Sequence, residues 1–186
     1  SQLDSHFLFN ALNCVAMEIR EGPERALEMT HRIAGYLRYS LDQRGQAFCT
    51  LGEEVEAMRD YLRIQELRFG DRLAWSFEVE ESVKELPVPH LILQPLVENA
   101  VKYGLLSVSG RLVIRLRAAR HLSGLAVEIS NSGCLQPPDR GRRSFGLVSV
   151  RRRLELHYPE RHELSLQQEG EVVVARLMFW GKPCCA

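Results

Sequence analysis

An apolar stretch that is interrupted by polar residues, Leu91 to Gly104, is the feature that most restricts how this chain can fold. Its apolar residues recur with the spacing of a buried helix, yet Glu98, Asn99 and Lys102 stand among them. Polar groups inside a protein cost free energy unless they are paired, so this helix is expected to border a polar ligand or a domain interface. Asn99 and Lys102 are three residues apart and share a helix face, where an amide oxygen and an ammonium group suit a magnesium–nucleotide site.

The N-terminal segment predicts a second candidate site on another helix. One side of this helix carries mostly polar side chains: His6, Asn10, Asn13 and Met17. An apolar ridge that we expect to be buried follows the same rhythm on the opposite side: Leu8, Leu12, Val15 and Ile19. The imidazole of His6 is therefore expected to face solvent or a partner, and its unperturbed pKa of about 6.5 leaves a neutral, nucleophilic ring at neutral pH. The other histidines have no such setting and are expected at the surface.

The overall composition excludes several classes of protein. The 24 basic and 24 acidic residues cancel, which argues against a general binder of nucleic acid or membrane surfaces. No apolar run is long enough to span a bilayer, and no signal peptide is recognisable. The five cysteines are odd in number and form no CxxC pair, which favours reduced cytosolic thiols over a disulfide framework or a zinc site. We therefore expect a soluble, cytoplasmic piece of a longer protein.

The periodicity predicts an α+β fold in two parts. The first part, residues 1–46, contains two amphipathic helices that form a hairpin, and a second copy would complete a four-helix bundle, so a homodimer is expected. The second part, residues 47–186, is expected to form an α/β sandwich with a mainly antiparallel sheet. The predicted helices are 1–21, 24–42, 50–69, one that bears Asn99, and 145–158, and the predicted strands are 73–79, 111–118, 125–130, 163–169 and 171–180.

These segments resemble the LytS-type sensor histidine kinases of bacteria. Gln2 to Asn13 is similar to their phosphoacceptor motif, with Ser5 where proline is usual, and Leu93 to Ala100 is similar to their N box. Two segments between these motifs also match, Tyr36 to Tyr39 and Tyr61 to Phe69. The resemblance implies the ATP-binding fold that histidine kinases share with gyrase and Hsp90. It also implies a longer parent with an upstream sensory segment, anchored in the bacterial inner membrane.

The resemblance implies roles for individual residues. His6 would accept a phosphoryl group from ATP, with Asn10 among the polar neighbours that orient its ring, and would pass it to an aspartate in the receiver domain of a response regulator. Asn99 would hold a Mg²⁺ ion that bridges the ATP phosphates, with Lys102 supplying positive charge. Glu98 would either polarise a metal-bound water or pair with a basic residue. The other residues expected at the nucleotide are Tyr103, Asn131, Gly133, Arg143, Gly146 and Leu147.

The chain departs from the family pattern at several positions. Asn131 stands for the aspartate that accepts a hydrogen bond from adenine, although its carbonyl can accept the same bond. Leu135 and Ser144 replace glycines, and Pro95 stands where ATP-hydrolysing relatives carry a glutamate base. One alternative is therefore a weakened signalling scaffold that binds nucleotide poorly and docks a partner. A second alternative, a gyrase-type ATPase, is disfavoured by Pro95 and by the histidine motif.

Overall fold

The computed structural model describes residues 5–41, 47–107, 110–135 and 145–184, and this part of the chain forms helices followed by a sheet domain. The α-helices are α1 (Ser5–Glu21), α2 (Pro23–Leu41), α3 (Leu51–Phe69), α4 (Gln94–Ser107) and α5 (Phe145–His157). The strands are β1 (Phe48–Thr50), β2 (Leu73–Val79), β3 (Pro87–Pro89), β4 (Leu112–His121), β5 (Gly124–Ser132), β6 (His162–Glu169) and β7 (Val172–Phe179). The predicted α+β class is confirmed.

Helices α1 and α2 form the predicted hairpin, but the buried face of α1 coincides only in part with the predicted one. The buried side chains of α1 are Phe7 and Ala11, which are 5% and 3% exposed. Leu12 and Ile19, which belong to the predicted ridge, are 53% and 57% exposed. Leu8 and Val15 of the same ridge are partly buried and pack against the core, so the prediction is confirmed for them. It is wrong for Leu12 and Ile19, because α1 also packs against α3 and this contact favours the side that carries Phe7.

Helix α2 packs against α3 and follows its predicted pattern more closely. In the sequence, one face of this helix is apolar and is expected to be buried: Ala26, Met29, Ile33, Leu37 and Leu41. The first three are buried in the structure. Beyond them Tyr36 is buried in place of Leu37, and Leu41 at the end of the helix is exposed. An ion pair of 2.8 Å between the guanidinium of Arg32 and the carboxylate of Asp60 also joins α2 to α3.

The start of α3 is fixed by a capping box. The hydroxyl oxygen of Thr50 accepts from the backbone N–H of Glu53 at 3.2 Å, and the Glu53 carboxylate accepts from the backbone N–H of Thr50 at 2.8 Å. This reciprocal pair satisfies donors that the first turn of a helix leaves free. The helix ends at Phe69, before Gly70, whose φ of 54° lies in the left-handed region that favours glycine.

The main sheet has five strands in the order β2-β4-β5-β7-β6. Strand β2 runs parallel to β4, and the other neighbours are antiparallel, so the sheet is mixed rather than purely antiparallel. Along β4 the buried residues Leu112, Ile114 and Leu116 alternate with the exposed Arg115 and Arg117. One face of the sheet is thus covered, and α3, α4 and α5 each contact it.

A second, two-stranded sheet was not predicted. Strands β1 and β3 pair antiparallel, with Cys49 opposite Val88. Each strand has three residues, and β3 begins and ends with proline, so the sequence carries no alternating pattern long enough to indicate it. The expectation that His157 lies at the surface is also wrong, because it is 5% exposed and packs edge-on against Phe48 at 4.7 Å.

The hairpin and the sheet domain share one hydrophobic core. Phe7, Ala11, Ile33 and Tyr36 of the hairpin lie in the same buried cluster as the residues of α3, α4 and the sheet. The division of the chain after residue 46 stays a prediction. Among the helices that the structure describes, none combines the length and the apolar character needed to cross a membrane.

Candidate functional site

Asn99 and Gly146 are brought together although 47 positions separate them in the chain. Asn99 lies half-buried in the second turn of α4, and Gly146 lies at the start of α5. A Cβ atom at position 146 would stand 2.8 Å from the Asn99 side-chain nitrogen and 3.2 Å from Cβ of Pro95. Glycine therefore allows the first turn of α5 to approach the Asn99 amide, as the predicted site requires.

The other predicted residues on these two helices have different exposures. Lys102 is exposed, and its ammonium nitrogen lies 5.2 Å from the centre of the half-buried Tyr103 ring. This cation–π contact leaves the lysine head at the surface. Leu147 is half-buried and packs against the core. Arg143, like Ser144, falls outside the described residues.

Asn131 and Gly133 lie at the end of β5, next to α4. Asn131 is 7% exposed, and its side-chain nitrogen donates to the carbonyl of Ser132 at 3.0 Å. A Cβ atom on Gly104 of α4 would lie 3.2 Å from that same nitrogen, so helix and strand approach closely here. Gly133 has a φ of 119°, a left-handed conformation that glycine adopts without strain.

Gln168 on β6 holds the loop that follows Gly133, a role that sequence reasoning missed. Its side-chain nitrogen donates to the carbonyl of Gly133 at 3.1 Å and to the carbonyl of Gly170 at 2.7 Å. Its side-chain oxygen accepts from the backbone N–H of Leu135 at 2.5 Å. The described start of this loop is thus attached to the outer hairpin of the sheet.

Glu98 faces the hairpin. Its carboxylate accepts from the hydroxyl of Tyr36 on α2 at 2.8 Å and from the side-chain nitrogen of Gln94 at 2.8 Å. The two roles that the sequence left open for Glu98, a metal-bound water or a basic partner, stay predictions. Burial raises the pKa of Tyr36 above its ordinary value, and the negative charge of Glu98 adds to this rise. The hydroxyl of Tyr36 therefore stays protonated.

The helix that carries the candidate phosphoacceptor is attached to the same place. The Phe7 ring packs edge-on against Tyr36, with 5.3 Å between ring centres, and at 5.1 Å against Tyr61 of α3. His6 lies next to Phe7 in the first turn of α1, and its side chain is outside the described part of the structure. Asn10 lies one turn further on and is half-buried.

A buried carboxylate shapes the segment that leads into α4. Glu54 is fully buried and accepts from the backbone N–H groups of Leu91 at 2.5 Å and Leu93 at 2.8 Å, and from the hydroxyl of Tyr39. Leu91 has a φ of 60°, which an L-residue rarely adopts and which this contact helps to hold. Burial raises the pKa of Glu54, and the donors around it oppose that rise.

Cys49, Glu54 and His90 lie close enough to raise the question of a metal ion. One potential ligand atom from each of them lies within 4.8 Å of the others. Both oxygens of Glu54 already accept hydrogen bonds from backbone N–H groups. Burial raises the pKa of Cys49 to about 12, so its thiol stays protonated. In this structure the three residues form part of a hydrogen-bonded core.

The surroundings of Asn99 suit a metal-bound nucleotide better. The Asn99 amide supplies an oxygen ligand of the kind that Mg²⁺ prefers. The first turn of α5, starting at Phe145, presents backbone N–H groups and the positive end of a helix dipole, which favour phosphate. At Gly146 the start of α5 lies directly against the Asn99 side chain, so these two features adjoin. The residues present thus fit the group that the sequence predicted.

Tyr36 and Gln94, like Gln168, are residues near the site for which the sequence predicted no role. Both stand inside the segments that resemble the kinase family, yet nothing in either segment indicates that they contact each other. The spacing of Gln94 and Glu98, one helical turn, was the only local signal for their contact.

Comparison with known proteins agrees with these observations. Residues 1–73 match the histidine kinase family. The sensor histidine kinase YpdA of Escherichia coli K12 is 29% identical over 169 residues, covering 86% of this chain and 30% of YpdA. The sensor protein LytS of Enterococcus faecalis is 30% identical over 142 residues, covering 75% of this chain and 24% of LytS. The chain thus spans less than a third of the length of these relatives.

The structure resembles solved kinase domains as well. The catalytic domain of the histidine kinase ThkA superposes with a TM-score of 0.53 at 17% identity, over 73% of this chain and 97% of that domain. At this identity the likeness shows a common fold.

Proposed function

Because this chain belongs to the histidine kinase family, we propose that it is the kinase core of a two-component sensor and transfers the γ-phosphoryl group of ATP to its own His6. The observation that carries this proposal is the contact between Asn99 and the glycine that opens α5. This contact brings the Asn99 side-chain amide to the start of α5, in a chain whose first helix carries the histidine motif.

The chemistry asks little of the protein beyond positioning. A ring nitrogen of His6 forms a bond to the γ-phosphorus while the bond to the ADP oxygen breaks, and the ring proton is lost afterwards to solvent. A neutral imidazole has a free lone pair at neutral pH, so no strong base is needed. The chain's task is to hold the two reactants in line and to offset the charge of the phosphates.

Individual residues divide this task. Asn99 would hold Mg²⁺, which offsets phosphate charge when bound. The backbone N–H groups at the start of α5 would contact the phosphates, with Lys102 and Arg143 adding positive charge. Asn131 and Gly133 would border the adenine. Tyr103 and Leu147 would close the sides of the nucleotide site.

The exposed apolar ridge of α1 supports a homodimer. Leu12 and Ile19 are seven residues apart and therefore share one face of the helix, which the single chain leaves more than half exposed. Leu27 on α2 is 58% exposed. A second hairpin would bury these side chains in a four-helix bundle. Light scattering of the wild type and of Leu12→Asp tests this, since the variant is expected to be monomeric.

Two further parts of the proposal concern the whole protein. The phosphoryl group would pass from His6 to an aspartate of a response regulator with a receiver domain. The chain would act in the cytoplasm as part of a longer sensor, whose upstream sensory segment and inner-membrane anchor stay predictions.

Incubation with γ-labelled ATP and Mg²⁺ tests the kinase proposal. We expect acid-labile label on the wild type, no label on His6→Gln, and strongly reduced label on Asn99→Ala. The control is His31→Gln, which removes an exposed histidine of α2 and should be labelled like the wild type. Acid-stable label, or label that persists in His6→Gln, would contradict the assignment of the phosphoacceptor.

The second candidate function is a signalling scaffold of the same fold that binds nucleotide poorly. The burial of Asn131 favours it, because a side chain that is only 7% exposed offers little surface to adenine. Thermal unfolding with and without Mg-ATP separates the two functions. A kinase should melt at a higher temperature with Mg-ATP and lose this shift in Asn99→Ala, whereas a scaffold should show no shift in either protein.

A further inference from the structure

One tyrosine links the phosphoacceptor helix to the helix that bears Asn99. The Tyr36 hydroxyl donates to the Glu98 carboxylate at 2.8 Å and accepts from the side-chain nitrogen of Gln94 at 2.9 Å. Gln94 also donates to Glu98 at 2.8 Å, so the three side chains form a closed network. Tyr36 and Gln94 are 1% and 6% exposed, which shields these bonds from water.

The ring of Tyr36 makes the second half of the link. It lies 5.3 Å from the Phe7 ring and 5.4 Å from the Tyr61 ring, measured between ring centres. Phe7 is 5% exposed and directly follows His6 in α1. A displacement of Tyr36 would therefore move Phe7, and with it the turn that carries His6.

We propose that Tyr36 is a positioning residue for phosphoryl transfer, which holds the helix bearing His6 in a fixed relation to the helix bearing Asn99. This inference rests on the proposed kinase function. It assigns Glu98 to the docking of the hairpin rather than to the nucleotide, because the carboxylate accepts from Tyr36 and Gln94.

Hydrogen bonds, which are directional, can fix the register of α2 against α4. Apolar contacts between two helices are non-directional and tolerate sliding, so they fix the distance between helices better than their register. A buried network of hydrogen bonds is satisfied in one arrangement only and thereby selects it. Phosphoryl transfer depends strongly on such selection, since reacting atoms misplaced by about 1 Å slow a reaction by roughly 100-fold.

A second tyrosine of α2 contacts the same region. The Tyr39 hydroxyl donates to Glu54, which in turn accepts from the backbone N–H groups of Leu91 and Leu93 just before α4. Tyr36 and Tyr39 of α2 thus reach two carboxylates: that of Glu98, which lies in α4, and that of Glu54, which binds the segment just before α4. The hairpin is attached to this helix at two points.

The test is Tyr36→Phe, which keeps the ring against Phe7 and Tyr61 and removes only the hydroxyl. We expect the rate of His6 phosphorylation at saturating Mg-ATP to fall about tenfold, which corresponds to about 1.4 kcal/mol, while the KM for ATP changes less than about twofold. The matched control is Tyr158→Phe, which removes a buried hydroxyl that lies 3.4 Å from the carbonyl of Pro87, away from the hairpin. This control should phosphorylate like the wild type.

Hydrogen exchange supplies a readout that does not depend on activity. In Tyr36→Phe the amides of α1 should exchange about tenfold faster, while those of β4 keep their wild-type protection. Unchanged exchange in α1 would overturn the proposal, as would equal acceleration in α1 and β4, which indicates a merely structural tyrosine. An unchanged or increased phosphorylation rate would also overturn it. If the wild type itself takes up no phosphoryl group, the kinase proposal fails, and the exchange comparison still decides whether Tyr36 holds the hairpin.

Discussion

The substitution Gly146→Ala tests the geometry of the nucleotide site most directly. The new Cβ would stand 2.8 Å from the Asn99 side-chain nitrogen. Non-bonded heavy atoms prefer separations of about 3.5 Å or more, so the amide must retreat by about 0.7 Å. Metal ligands tolerate deviations of only about 0.2 Å. We therefore expect the affinity for Mg-ATP to fall by roughly 10- to 100-fold, the usual range when a metal ligand loses its support.

Isothermal titration with a non-hydrolysable ATP analogue and Mg²⁺ measures this change. The matched control is Gly110→Ala, because no atom lies within 4 Å of a Cβ built at that position. Folding should not obscure the result, since alanine is favoured over glycine in a helix by up to about 1 kcal/mol, which offsets part of the crowding.

A double-mutant cycle shows whether the effect passes through Asn99. In an Asn99→Ala background the added methyl group has no amide to displace, so Gly146→Ala should cause little further loss of affinity. If Gly146→Ala binds Mg-ATP within about twofold of the wild type, the assignment of Asn99 as the metal ligand fails. Additive losses in the double mutant would mean that the two residues act separately.

Three further predictions concern stability, each measured as a free energy of unfolding in urea by circular dichroism. Gly104→Ala should lower the free energy of unfolding by about 1–3 kcal/mol, because the new Cβ would lie 2.4 Å from a methyl carbon of the fully buried Leu112. An unchanged value would show that α4 and β4 separate easily at this point. Glu54→Ala should lower the free energy of unfolding by about 3 kcal/mol, since buried donors, among them the N–H of Leu93, lose their acceptor. A more stable variant would show that the cost of burying the carboxylate exceeds the gain from its hydrogen bonds. The third prediction concerns His157, whose pKa is lowered by burial in the folded chain, so that the unfolded chain binds more protons below a pH of about 6.5. The free energy of unfolding should therefore fall as the pH drops below that value, and His157→Gln should flatten this decline. An equal slope in both proteins would refute the cause.

Element boundaries that depend on neighbouring residues could be read from the sequence. The predicted helix 50–69 begins with Thr50 and Glu53, which have the spacing of a capping box, and the structure places α3 at Leu51–Phe69. The alternation from Leu73 to Val79 predicted β2 with its observed ends. Capping and alternation each depend on a few neighbouring residues, so both can be recognised from the sequence alone.

The choice of buried face on α1 could not be read in this way. The helix is apolar on more than one side, with Phe7 and Ala11 on one and Leu12 and Ile19 on another. Which side is buried depends on the position of α3, a segment that follows the hairpin. A periodic pattern shows that a helix has apolar faces, but it does not show which of them a neighbour covers.

Some features of the candidate site could likewise be predicted from the sequence, and others only became visible in the folded structure. Residue type and local spacing indicated a displayed, nucleophilic histidine at position 6 and a polar site at Asn99. The phosphoacceptor role of His6 and the role of Gly146 were predicted from the resemblance to the kinase family. The contact of Asn99 with Gly146, and that of Glu98 with a tyrosine 62 residues earlier, appeared only in the folded chain. Such contacts depend on how whole helices pack, which sums many weak, non-directional interactions between distant segments and leaves no signature at any one position.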